Sequence, residues 1–361
     1  MNEIKLQPEI LKKLREASGY QIEEVAKKLK TSKDKIESVE AGKGHFTLTQ
    51  IKKLAEIYKR PLAAFFSDSI VELPKITDFR INRDKRIPPS VYLAERRLQY
   101  LLDKTKELSG KKSKIPSFPV ELRPVELAKV FREILNIDIV KNRKSDEILQ
   151  YYKKVLEDTF SIVIIEYPLK TEDANDVRGF SICSDLSGLV LNENDKSSIK
   201  IFSLFHEICH LIRNTSGICS IIDIEEKKQD EEFYCNEFAA EFLVPSEDLK
   251  SEIEKYNLND EKAINQITEI YGVSKQVMML CLLKFGYIKK DKYEEFKKKV
   301  EEGIKQNKFS RKNWEKVFLN RVGNLSLQEV RTAYNKQSIT FYEASSILGL
   351  KTKYADKLLT H

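Results

Sequence analysis

A chain of 361 residues, 41% hydrophobic and 33% charged, is long enough for two or three domains with ample core. No apolar run approaches a membrane span and the N-terminus has no signal-peptide pattern, which argues against a membrane or secreted protein and for a cytoplasmic one. The net charge of +7 is uneven: residues 1–60 and 289–361 carry +5 and +8, whereas residues 206–242 carry −6. Basic ends around an acidic middle admit contact with nucleic acid or an acidic partner; a solvated lysine-rich surface is the plainer alternative. Cys183, Cys209, Cys219, Cys235 and Cys281 are odd in number and follow no framework spacing, so reduced thiols are expected.

The first 67 residues predict five short helices: Leu11–Ala17, Ile22–Leu29, Thr31–Gly42, Leu48–Tyr58 and Pro61–Phe66. This all-α segment resembles the Cro/repressor-type (XRE) helix-turn-helix domain over residues 9–67. Val25-Ala26 falls at its helix packing point, and Ile36, Val39 and Glu40-Ala-Gly42 match the end of its recognition helix. The resemblance implies that the third helix enters the major groove of double-stranded DNA, with Ser32, Lys33, Lys35 and Ser38 as contacts. There are two departures. Ile22 stands where the family commonly has a DNA-contacting glutamine, and Glu37 adds negative charge to the reading face. A domain that grips a repressor protein is therefore the other reading.

Helices are predicted next near Val91–Ser109 and Pro124–Leu135, with a proline-bearing loop between them. Gly188-Leu-Val-Leu-Asn192 reads as a strand, either an edge strand that could pair with an extended peptide or an ordinary core strand. Ser198–Arg213 follows as one helix. Ile199, Phe202, Phe205, Ile208 and Ile212 recur at three- and four-residue steps, and Ser197 or Ser198 is a candidate cap.

That helix contains His206-Glu207-Ile208-Cys209-His210, in a chain with four histidines in all. Residues i and i+4 share a helix face, so both imidazoles can reach one ion, and Glu207 can take a proton from a water held beside it. A catalytic zinc usually keeps three protein ligands. His45 and His361 are badly placed, so the third should be a carboxylate. Asp230 to Pro245 supplies it: a helix stopped by its proline, with Glu232 and Asn236 four apart on one face. Glu232 is assigned as the third ligand, with Glu231 as rival, and Asn236 as a partner that orients a ligating histidine. Cys209 and Cys235 read as small core fillers, and Tyr234, Tyr271 and Tyr287 as structural tyrosines rather than oxyanion donors.

His206-Glu-Ile-Cys-His210 followed by Glu232-Phe-Tyr-Cys-Asn-Glu-Phe-Ala-Ala-Glu-Phe-Leu-Val-Pro245 resembles the ImmA/IrrE family of zinc metallopeptidases. Cys235, Phe242 and Val244 replace the usual alanine, leucine and methionine. Arg178-Gly-Phe-Ser and Gly188–Asn192 also look like the family, as does Leu73–Arg80, similar to its linker after a helix-turn-helix domain. The resemblance implies a gluzincin-like site with one Zn2+ per chain on His206, His210 and Glu232 and with Glu207 as general base. It also implies cleavage of a helix-turn-helix repressor in the cytoplasm, relieving repression of mobile-element or stress-response genes.

The resulting architecture is multidomain. A helix-turn-helix domain (1–70) and a linker with helical connection (71–125) precede a mainly helical α+β zincin-like domain with a small sheet (126–288) and a basic helical C-terminal region (289–361). Within it, Ala263–Tyr287 reads as a helix-turn-helix-like pair around Tyr-Gly-Val-Ser274, as does Ile339–Leu359. The expected partners are a repressor substrate and no membrane, with duplex DNA and a homodimer as further options. Two readings compete with the peptidase: a DNA-binding regulator or antitoxin whose protease-like domain only docks a partner, and a metal that merely staples two helices.

Overall fold

The computed structural model describes residues 6–67, 87–119, 121–169, 177–214, 217–219, 230–258, 260–303, 313–350 and 352–359. Leu73–Arg80, expected as the linker, lies outside the described residues. The chain divides into two compact units at Arg97/Leu98. No helix among the described residues is long and apolar enough to cross a membrane.

The first unit is built from α1 (Pro8–Glu16), α2 (Ile22–Leu29), α3 (Lys33–Glu40), α4 (Leu48–Tyr58) and a 3-10 turn at Leu62–Phe66. Helix α1 starts three residues earlier than predicted because Pro8, with no N–H to satisfy, opens its first turn. Between α2 and α3 the chain turns at Lys30, which is left-handed at φ +57°, and Ser32 then caps α3 by accepting from Lys35 N. Leu14, Val25, Ile36, Val39, Ile51 and Leu54 form the core. Arg15 ties α1 to α3: its Nε and Nη2 donate to the two Glu40 carboxylate oxygens at 2.8 and 2.9 Å, and its Nη1 donates to Tyr20 O.

Helix α5 (Pro89–Ser109) spans the division. The second unit continues with α6 (Pro124–Leu135), α7 (Ser145–Phe160), β1 (Val163–Tyr167), β2 (Gly179–Ile182), β3 (Gly188–Asn192), α8 (Ser197–Ile212), β4 (Gly217–Cys219) and α9 (Asp230–Leu243). After these come α10 (Ser246–Ile253), α11 (Glu261–Tyr271), α12 (Lys275–Lys284), α13 (Lys290–Gly303), α14 (Trp314–Asn320), α15 (Asn324–Asn335), α16 (Phe341–Leu348) and α17 (Thr352–Leu359).

Among the described residues, four strands run in the order β1-β3-β2-β4. Strand β3 pairs parallel with β1, Ile165 opposite Val190, and antiparallel with β2, Phe180 opposite Val190. The edge-strand reading of Gly188–Asn192 is therefore corrected: all five of its residues are buried and it has a neighbour on each side. A short, continuously apolar run is what a strand covered on both faces requires. Among the described residues the terminal positions belong to β1 and β4. From the sheet, Ile164, Leu189 and Leu191 join α6, α7, α8 and α9 in one large core, while Leu98 and Leu102 of α5 pack on Gly188.

The C-terminal helices α14 and α15 dock on β1 and α7 through buried polar groups. Gly323, at φ +81°, turns the chain so that the first N–H groups of α15 meet a carboxylate of α7. Glu157 accepts from Asn324 N at 3.0 Å, Asn324 Nδ2 at 2.7 Å and Leu325 N at 3.4 Å, and burial pushes its carboxyl pKa up. A Cβ on Gly323 would stand 2.9 Å from Ile164 O, so only glycine fits there. Beside this junction Glu166 of β1 accepts from Lys153 at 3.2 Å and from Lys200 of α8 at 2.6 Å, and Lys153 also donates to Asn320 Oδ1. Burial alone would raise the Glu166 pKa; the two ammonium groups outweigh it and hold it below the ordinary carboxylate value.

Removing the Glu157 acceptor strands buried donors at the start of α15. Glu157→Ala should cost about 2–4 kcal/mol, read as a lowered thermal midpoint, with protease nicking concentrated in residues 313–359. An unchanged midpoint would exclude this carboxylate as the anchor of α15.

Candidate metal centre

Helix α8 is enclosed over most of its length, and every residue from Lys200 to Ile212 is buried. Its position is set by packing on α9 and α7 and on β2 and β3. Phe205 stacks on Phe242 with ring centroids 4.0 Å apart, and Ala239 and Ala240 leave room for the two helices to approach. One turn apart on α8, His206 and His210 are 3% and 1% exposed. Facing them on α9 is Glu232.

The three side chains converge. His206 Nε2 lies 3.2 Å from Glu232 Oε2, His210 Nε2 lies 3.4 Å from Glu232 Oε1, and the two Nε2 atoms are 3.2 Å apart. Tetrahedral ligand atoms about 2.0–2.1 Å from a zinc ion stand about 3.3–3.4 Å from one another. The triangle therefore has the edge length of one face of a zinc tetrahedron, and its donor set suits that ion.

The electrostatics favour a positive charge at the same point. Burial would raise the Glu232 pKa, but hydrogen bonds from both imidazoles hold it well below the usual carboxylate range. Burial also works against charging His210, yet Cys235, Glu232 and Glu207 together keep its imidazole well above its ordinary value. Glu207 differs: it is 1% exposed, and burial pushes its carboxyl up. Its Oε2 is a buried oxygen with no hydrogen-bond partner. The carboxylate lies against β2 at Gly179, where a Cβ would come within 3.3 Å of Glu207 Oε1 and 2.8 Å of Val190 O. The glycine thus makes the space that Glu207 occupies.

Glu231, the rival to Glu232, approaches His210 and Cys235 from the other side but is engaged by Arg213. Its Oε1 accepts from Arg213 Nε at 2.6 Å, and that guanidinium covers the Tyr234 ring at 4.1 Å. Tyr234 donates to Leu122 O and Tyr271 to Asp248 Oδ2, so these two tyrosines carry structural hydrogen bonds. Asn236 is buried, but its Oδ1 has no partner, nor has His206 Nδ1, so no bond from that oxygen orients His206. The group set against the outer nitrogen of His210 is instead Cys235, with Sγ 3.7 Å from Nδ1. The reading of Cys235 as a small core filler left this contact out. The residue's spacing of three from Glu232, which places both toward α8, was the available signal.

Residues 157–280 match the IrrE N-terminal-like domain family, and residues 9–64 match a helix-turn-helix domain family. The chain joins a helix-turn-helix domain to an IrrE-like peptidase domain, the ImmA/IrrE architecture. A search among curated proteins returned no match. The IrrE-like match runs from the end of α7 through most of α12 and contains all the converging side chains; α13–α17 lie beyond it. The helix-turn-helix match takes in α1–α4. On its α3, Ser32 is exposed and spends its hydroxyl on the cap. Lys33 pairs with Glu23 at 2.7 Å and Glu37 at 3.6 Å, while Lys35 and Ser38 are half-buried.

Proposed function

We propose that this chain is a zinc-dependent endopeptidase that cleaves a partner transcriptional regulator in the cytoplasm, coupled to a helix-turn-helix domain that binds duplex DNA. The observation that carries this reading is the mutual 3.2–3.4 Å spacing of His206 Nε2, His210 Nε2 and a Glu232 carboxylate beside an unpartnered buried carboxylate oxygen on Glu207. His206, His210 and Glu232 would hold the ion. When bound, zinc supplies Lewis acidity and lowers the pKa of a coordinated water.

The rest falls to the chain's own residues. Glu207 takes the proton of the attacking water at Oε2. Water adds to the peptide carbonyl carbon, the C–N bond breaks, and Glu207 passes the proton to the departing amine nitrogen. An extended substrate would pair with β4, the terminal strand beyond β2, rather than with the enclosed β3. The proposed substrate is a helix-turn-helix repressor, a reading that the fused architecture supports. On the DNA side, Ser32, Lys33, Lys35 and Ser38 are the proposed contacts, with affinity drawn mainly from lysine–phosphate pairs.

Glu207→Gln separates a peptidase from a docking module. Incubated with repressors encoded nearby, the variant should cut about 10²–10⁴-fold more slowly than the parent while keeping its metal and DNA binding. Cleavage at the parental rate would reject the assignment of Glu207. Elemental analysis tests the ligands: Glu232→Ala should lose the ion, whereas Glu231→Ala, which breaks the Arg213 pair, should retain it. For DNA, Lys35→Ala and Lys33→Ala should each weaken binding across sequences and lower the salt slope by about one. Gel-shift titrations at several salt concentrations would show this, and salt-independent binding would count against DNA as the partner.

A further inference from the structure

The two imidazoles that meet Glu232 are not held alike. His206 Nδ1 is buried with no hydrogen-bond partner, whereas His210 Nδ1 lies 3.7 Å from Cys235 Sγ, within hydrogen-bond range for sulfur. Cys235 is 0% and His210 1% exposed, so water does not take the place of the thiol. A histidine that offers Nε2 to a metal carries its proton on Nδ1, and the group that accepts that proton fixes the ring's tautomer and tilt. Glu231 is the carboxylate closest in kind to the usual acceptor and approaches the same cluster, but its charge is engaged by Arg213 at 2.6 Å. Sulfur is a weak acceptor, yet it is large and polarisable and spans the wider gap between α9 and α8.

We propose that Cys235 is the positioning residue for His210: its sulfur accepts from Nδ1–H and keeps Nε2 turned toward Glu232 and His206. This rests on the metal-centre reading above. Where the motif that residues 232–245 resemble usually has alanine, this chain has Cys235. A small apolar side chain would fill the space but take the sulfur away from Nδ1.

The test is zinc affinity of the full chain, measured by competition with a chromophoric chelator, alongside thermal melting of the metal-free protein. Cys235→Ala and Cys235→Val should each bind one zinc about 10–100-fold more weakly than the parent, with the metal-free melting point little changed. Cys235→Ser, which keeps a polar atom at the same place, should recover part of the loss. Valine fills the site, so it carries the comparison if the alanine variant does not fold. Equal affinity in parent and valine variant overturns the proposal. So does an equal loss in serine and valine variants accompanied by a lower metal-free melting point, which marks a packing role. Two zinc ions in the parent and one in the variants would also overturn it, making Cys235, His210 and Glu231 ligands of a second ion. A parent chain that takes up no zinc is a different failure: it removes the metallopeptidase reading itself.

Discussion

The burial of polar groups on an apolar helix is the constraint around which the second unit is organised. From Lys200 to Ile212 every residue of α8 is buried, yet that stretch carries an ammonium, two imidazoles and a carboxylate. Isolated charges of this kind cost several kcal/mol each in a dry interior, so each needs an answering group. Lys200 finds Glu166 across the sheet, the imidazoles find Glu232, and His210 has Cys235 at its back. Glu207 keeps one oxygen without a partner, as His206 does its Nδ1. In a core that otherwise satisfies most of its polar atoms, such an orphan is where chemistry is expected.

Much of this was legible in the sequence, and the parts that were not share a cause. His206 and His210 follow from helical geometry alone, since a spacing of four guarantees a common face whatever surrounds it. The choice between Glu231 and Glu232 could not follow from spacing, because a helix with acidic residues at successive positions offers both. In the structure Glu232 faces the two Nε2 atoms, whereas Glu231 pairs with Arg213 at the end of α8. Cys235 was read by its size rather than by what lies opposite it, and the opposing atom belongs to another helix. Gly188–Asn192 could be placed as a strand, but its rank within the sheet depends on β1 and β2, whose pairings are non-local. Ser197 and Ser198 were plausible caps for α8. The helix begins after Lys196 instead, and Ser197 spends its hydroxyl on Asp146.

The helix-turn-helix unit shows the same division between local and non-local information. Its turn needs a left-handed residue, and Lys30 adopts that conformation although no glycine marks it. Packing of Val25, Ile36 and Val39 therefore outweighs the modest local strain. Lys33 is held between Glu23 and Glu37, both exposed pairs worth little in water. A phosphate could displace either acid at small cost.

The Lys153–Glu166–Lys200 cluster has an evolutionary corollary. One acid serves two bases there, so losing the acid removes the shared counter-charge of two buried ammonium groups, and losing either base takes a hydrogen bond from the acid in a space almost closed to water. Replacing all three by apolar residues of similar volume, by contrast, need not be harmful. Divergence at this spot has no easy single steps. Related chains should keep the trio whole or lack it altogether, and intermediates should be rare.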